Sequence, residues 1–317
     1  MLNNNNNNDG RIIFMGTSYF SVISIEYLLK NKFNVKGVIT NTDRFSIRNK
    51  KLYVESAVKK FSRLLAVPIL QSDDLKNPLV LEMLQKWHTE IIIIVAFRML
   101  PKSVWKIPTF GSFNLHPSLL PNYRGAAPMN RVIMNGEPQT GITSFIVDEK
   151  LDMGRMLLQK KISIEMEENT GSLSIRLSEI GAYLAVNTIK CVIYNCIAPK
   201  KQITNLKFKM APKLLRIDTK IDWTATIKDT LNKIRGLSPF PGAGCIIKRE
   251  ETMFKKKEFK IYRAYYFFSP HLKNIGTVEE NKIIISDGYL SVLEYQLEGR
   301  LSILGKDFLG KKLGVIA

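Results

Sequence analysis

The chain has 317 residues, 45% hydrophobic and 9% aromatic, which is the make-up of a folded protein with room for two cores. Its formal net charge is +19, with 33 lysines among 47 basic residues, so either a polyanionic partner or lysine-rich coding drift accounts for the charge. Three cysteines (Cys191, Cys196 and Cys245) without metal-ligand spacing, and a longest apolar run of only seven residues (Ile91 to Phe97), argue against a disulfide scaffold, a zinc site or a membrane span, which takes about 20 residues.

From these features a soluble, cytoplasmic, monomeric protein is expected, with no metal, no membrane partner and reduced, mostly buried thiols. Residues 1–10, with their six-Asn run, read as a disordered tail rather than a targeting segment. From Arg11 strand and helix alternate. RIIFMG is a short buried strand ending in a glycine turn. Ser18 is placed to cap the next helix, whose Val22, Ile25, Leu28 and Leu29 keep helical spacing. Val35 to Thr40 is a second strand, and Lys51 to Leu65 is a helix with Val54, Ala57, Val58, Phe61 and Leu65 on one face. Glu90 to Ala96 is a continuous β-branched run, the pattern of a central parallel strand buried on both faces. This alternation predicts an α/β fold with a doubly wound, mainly parallel sheet, whose ligands bind beyond the carboxyl ends of the strands. The turn at Gly16 reads GTSYF and not GxGxxG, so no dinucleotide cofactor is expected.

Residues 112–128 read SFNLHPSLLPNYRGAAP and hold an amide, Asn114, two residues before an imidazole, His116. On an extended segment such a pair lies on one side. Transfer of an acyl group to an amine needs a donor to the developing oxyanion, a route for the amine proton, and a group to orient both. An Asn amide fills the first role, and a His fills the first or the second. The same pair also serves elsewhere as a local hydrogen-bonding device. A carboxylate to complete the set lies within TGITSFIVDEKLDMGRMLL, residues 140–158. There the strand Ile142 to Val147 leads to Asp148 and Asp152, and Gly154 permits a tight turn. Pattern favours Asp152 only slightly over Asp148.

Beyond Ala198 the segment 199–220 carries seven basic residues against one acid, Asp218. It reads as a basic linker, either solvated or lying on phosphates. Asp222 to Ile234 reads as a helix. From Gly244 onward come short strand-like pieces separated by turn signals, which predict a small all-β barrel or sandwich. The expected division is residues 11–198 for catalysis and 208–317 for a second domain.

The motif NLHPSLLPNYRGAAP, together with TGIT and LDMG, resembles the folate-dependent formyltransferase family, and the likeness extends to VAFRMLP at 95–101, IDW at 221–223 and SPFP at 238–241. The resemblance selects Asp152 as the carboxylate beside Asn114 and His116. It implies 10-formyltetrahydrofolate as formyl donor, with Ser118, Leu119, Leu120 and Pro121 lining its site. It implies methionine on initiator tRNA as acceptor, with a sugar nucleotide, glycinamide ribonucleotide or water as alternatives. A non-catalytic RNA-binding role is the alternative from another class. It also implies a smaller OB-like second domain that binds tRNA. The basic residues it points to are Arg44, Arg48, Lys50 and Lys51 in the loop after the second strand, and Lys209 and Lys213 in the linker.

Overall fold

The computed structural model describes residues 10–45, 53–203, 207–249, 252–279, 282–297, 303–304 and 314–316. The chain divides into two compact units. The first runs to Arg124 and adds Gly141–Ile162 and Ile175–Met210; the second takes Gly125–Thr140, Ser163–Ser174 and the chain from Ala211.

The first unit is built on the strands β1 (Ile12–Gly16), β2 (Val35–Thr40), β3 (Arg44–Phe45), β4 (Tyr53–Val54), β5 (Ile69–Gln71), β6 (Ile91–Val95), β7 (Ser112–His116), β8 (Gln139–Ile146) and β9 (Met156–Ser163). Its main sheet has the order β5-β2-β1-β6-β7-β8-β9. The pairs β2–β5, β1–β2, β1–β6 and β6–β7 are parallel, and β7–β8 is antiparallel. Every residue of β1 and β6 is buried, as their unbroken apolar sequences require of strands covered on both faces. The order reverses at β1, with β2 on one side and β6 on the other, so the switch point lies between the carboxyl ends of β1 and β6, with β7 next to β6. The helices are α1 (Tyr19–Lys30), α2 (Ala57–Leu64), α3 (Pro78–Lys86), α4 (Lys102–Trp105), α5 (Pro128–Met134), α6 (Thr170–Ile193) and α7 (Ile227–Leu237); α5, α7 and the start of α6, to Ser174, belong to the second unit.

Local chemistry sets their ends. The Ser56 hydroxyl accepts from the Lys59 N–H at 3.0 Å and starts α2 at Ala57, six residues later than the apolar pattern predicts, while Tyr53–Val54 pairs with Arg44–Phe45. Ser18 stands at the α1 N-cap, but its hydroxyl meets Ser21 Oγ at 3.3 Å and caps no backbone N–H. Thr226 caps α7 through the Asp229 N–H, so this helix spans Ile227–Leu237 rather than 222–234. Asp222 instead accepts from the backbone and hydroxyl of Thr224 in a tight turn.

The second unit holds an antiparallel sheet of β10 (Ala243–Arg249), β11 (Thr252–Phe268), β12 (Val278–Glu279), β13 (Lys282–Ile285), β14 (Gly288–Leu297), β15 (Ile303–Leu304) and β16 (Gly314–Ile316). Its order is β12-β13-β14-β11-β10-β16, with β15 pairing β14. Trp223, Ile227, Ile234 and Leu237 pack on Phe259, Ile261, Ile283 and Leu290 as its core. The sequence-based expectation of a mainly parallel α/β sheet followed by a smaller OB-like antiparallel domain holds.

Among the described residues no helix is long and apolar enough to cross a membrane. The cysteines are free thiols, but not mostly buried as expected: Cys191 and Cys245 are half-buried and Cys196 is exposed.

Candidate active site

His116 ends β7, in register with Thr143 of β8, and is 5% exposed. Its Nε2 lies 2.7 Å from the Tyr123 carbonyl oxygen. A carbonyl only accepts, so Nε2 carries the proton and donates. That leaves Nδ1 as the nitrogen that gains and loses a proton, and Nδ1 stands 3.7 Å from Asp152 Oδ2. Asp152 is itself only 7% exposed. The separation is beyond hydrogen-bond range but within ion-pair range. Asn114 stands two residues earlier on the same strand, half-buried.

The turn that brings Asp152 here differs from the sequence expectation. Asp152 itself adopts the left-handed conformation, at φ 53°. Gly154 contributes close approach instead, since a Cβ there would lie 1.6 Å from the Ile146 carbonyl oxygen.

The segment Ser118 to Pro121 follows directly. The Ser118 hydroxyl donates to the Asn122 carbonyl at 2.8 Å, and its own carbonyl accepts from the Thr143 hydroxyl at 2.7 Å. The Leu120 N–H meets Thr143 Oγ1 at 3.2 Å, and its carbonyl accepts from the Gln159 amide at 3.0 Å. Ser118 and Leu120 are buried and committed inside the loop, while Leu119 and Pro121 are half-buried. The Leu120–Pro121 bond is cis.

The structure therefore brings Asn114, His116, Asp152 and Ser118 to Pro121 together at the carboxyl end of β7. Lys209 joins them through its backbone: its N–H donates to Asn122 Oδ1 at 3.1 Å, and its carbonyl accepts from the Tyr123 N–H. Arg44 is exposed and 3.8 Å from Asp73. Arg48, Lys50 and Lys51 lie outside the described residues. Lys213 is in the second unit, where it lines a cavity of 910 Å³ that Arg216, Lys220 and Lys260 also line.

Sequence reasoning missed Thr143, Gln159, Arg124 and Gln202. Arg124 is 7% exposed and its Nε and Nη2 donate to Gln202 Oε1 at 3.1 and 2.6 Å. Burial lowers its pKa, and the negative charge of Asp152 partly offsets that. A buried arginine inside YRGAAP and a lone glutamine inside a lysine-rich segment were the only signals on offer.

Asn114, His116 and Asp152 thus gather at the carboxyl edge of a mainly parallel sheet, in a chain that continues into a small antiparallel domain. Residues 10–189 match the formyl transferase model and residues 213–312 the formyl transferase C-terminal domain model. The chain is 41% identical over 294 residues to the methionyl-tRNA formyltransferase of Flavobacterium johnsoniae, covering 92% of each chain. It is 38% identical over 311 residues to that of Azobacteroides pseudotrichonymphae, covering 94% of this chain and 95% of the other. Among solved structures, WlaRD, a sugar 3N-formyltransferase, shares the fold with a TM-score of 0.63 at 21% identity, over 92% of this chain and 99% of its own. The chain belongs to the formyl transferase family.

Proposed function

We propose that the chain transfers the formyl group of 10-formyltetrahydrofolate to the α-amino group of methionine on initiator tRNA. Relatives named as methionyl-tRNA formyltransferases match at 33–41% identity over more than nine-tenths of this chain and of their own, which favours this acceptor over sugars and purine precursors. The observation that carries the chemistry is the buried His116, with Nε2–H tied to a carbonyl and Nδ1 turned to Asp152.

The residues fit a folate donor. Leu119 and Pro121 are half-buried just after His116 and would supply an apolar wall for the donor. That donor supplies an activated formyl carbon. Asn114 donates its amide to the oxygen on which charge develops as the amine attacks. His116 stabilises the same oxygen once Nδ1 is protonated. Asp152, 3.7 Å from Nδ1, orients His116 and, directly or through water, accepts the proton lost by the amine. The proton then goes to the departing folate nitrogen, so the step balances as formyl-methionyl-tRNA and tetrahydrofolate. The basic residues Arg44, Arg48, Lys50, Lys51, Lys209 and Lys213 meet tRNA phosphates in this reading.

The test is transfer of labelled formyl from 10-formyltetrahydrofolate to charged initiator tRNA, beside charged elongator methionine tRNA. Strong transfer to the initiator alone is the expected result. Transfer to a sugar nucleotide or glycinamide ribonucleotide but to neither tRNA, or release of formate alone, would overturn the acceptor assignment.

A further inference from the structure

The segment that reads as a solvated basic linker is, over its first part, built into the first unit. Met156 and Lys200 exchange both backbone hydrogen bonds at 2.8 Å. Two residues on, Gln202 is 3% exposed among lysines that face solvent. Every polar atom of its side chain is committed. Oε1 accepts both hydrogen bonds from Arg124, and Nε2 donates to the carbonyls of Asp152 and Gly154, each at 2.8 Å. These two bonds close the turn in which Asp152 adopts φ 53°, a left-handed conformation that aspartate tolerates. Arg124 directly follows Tyr123, whose carbonyl fixes His116, and Tyr123 is pinned from the other side by the Lys209 carbonyl.

We infer that Arg124 and Gln202 are positioning residues for the His116–Asp152 pair. Gln202 clamps the Asp152 turn, Arg124 orients the Gln202 amide, and Arg124 and Tyr123 lie next to each other in the chain. The buried polar pair therefore fixes both halves of the site at once. A glutamine amide suits this task because it accepts from a guanidinium and donates to two carbonyls simultaneously. A glutamate keeps the first function and loses the second, setting a carboxylate against the Asp152 and Gly154 carbonyls.

Gln202→Glu and Arg124→Lys in the full chain test this, with Ile203→Ala, an exposed neighbour, as control. The expected result is a kcat lowered roughly tenfold to a hundredfold in both variants, with KM for donor and acceptor little changed. In ¹⁵N-histidine spectra, identified by the signals lost in His116→Ala, His116 should leave the Nε2–H tautomer and shift its titration midpoint. Ile203→Ala should change neither. Should Gln202→Glu fail to fold, Arg124→Lys decides alone. Unchanged His116 tautomer and midpoint in a folded variant, with activity following only the folded fraction, would overturn the inference. The kinetic arm rests on the proposed function, whereas the histidine spectra do not. A chain that transfers formyl to no acceptor would thus sink the proposed function and leave the clamp still decidable.

Discussion

In the proposed reaction His116 has one nitrogen for structure and one for chemistry. The Tyr123 carbonyl accepts the Nε2–H hydrogen bond, which leaves Nδ1, 3.7 Å from Asp152 Oδ2, for the proposed chemistry. Removing the carboxylate charge while keeping its shape isolates what that charge does. In the proposed reaction Asp152→Asn should lower kcat by roughly a hundredfold or more, with binding of the folate donor retained. Asn114→Ala should cost about a hundredfold in kcat, the ordinary price of one oxyanion donor. Steady-state kinetics with charged tRNA, beside donor binding measured by fluorescence quenching, checks both. Near-normal turnover in either variant would remove that residue from the mechanism. At Asp218 the charge serves stability. It accepts from the Leu215 N–H and from both terminal nitrogens of Arg131, which lowers its carboxyl pKa. A lowered folded pKa means the contribution is complete above the unfolded value of about 3.9 and fades as pH falls through the folded one. Asp218→Asn should therefore be less stable than the parent by about 1 kcal/mol at neutral pH, and the deficit should shrink below about pH 4. Urea unfolding across that range would show it, and a pH-independent deficit would deny the charge its role.

At the scale of elements, the strands were the most legible. An apolar β-branched run such as Ile91–Val95 has few ways to be buried other than as a central strand. Helix starts were less so. Apolar spacing marks a helical face, but the first turn is set by which side chain accepts the orphan N–H groups, as Ser56 and Thr226 do here. Asn114 and His116 sit on one strand, so their spacing alone puts them side by side. Asp152 was legible only with the help of a family likeness, because its placement depends on a turn closed by a residue 50 positions away. Gln202 was not legible at all: its partners are 48 to 78 positions distant, and neighbouring lysines disguise it. Gly154 gives the sharpest element-level prediction. A methyl group there must displace the Ile146 carbonyl, so Gly154→Ala should destabilise the chain by about 3 kcal/mol and move Asp152 with the turn. Thermal unfolding together with activity would reveal both effects. An unchanged melting temperature would mean the turn relaxes without cost.

For the molecule as a whole, the charge of +19 asks whether it is used. Composition cannot answer, because coding drift scatters lysines without regard to a partner, whereas a phosphate-binding surface gathers them. Lys213, Arg216, Lys220 and Lys260 gather at a 910 Å³ cavity of the second unit, among mostly apolar lining residues, and so mark where a used surface is to be sought. Lys30, by contrast, is spent on Glu26 one helical turn away at 2.6 Å. Each phosphate neutralised releases counterions, so a used surface has a salt slope that an unused one lacks. With two or more such contacts, KM for charged tRNA should rise about tenfold or more between roughly 50 and 200 mM salt, while KM for the folate donor stays nearly flat. Lys213→Glu should raise KM for the tRNA and flatten the slope, with kcat at saturation retained, and Lys30→Glu should do neither. Both variants change the net charge by the same amount. If they raise KM equally, only the total charge matters and the lysines of the cavity have no special part. If Lys213→Glu alone does so, placement decides, and the surplus of lysine is at least partly a tRNA surface.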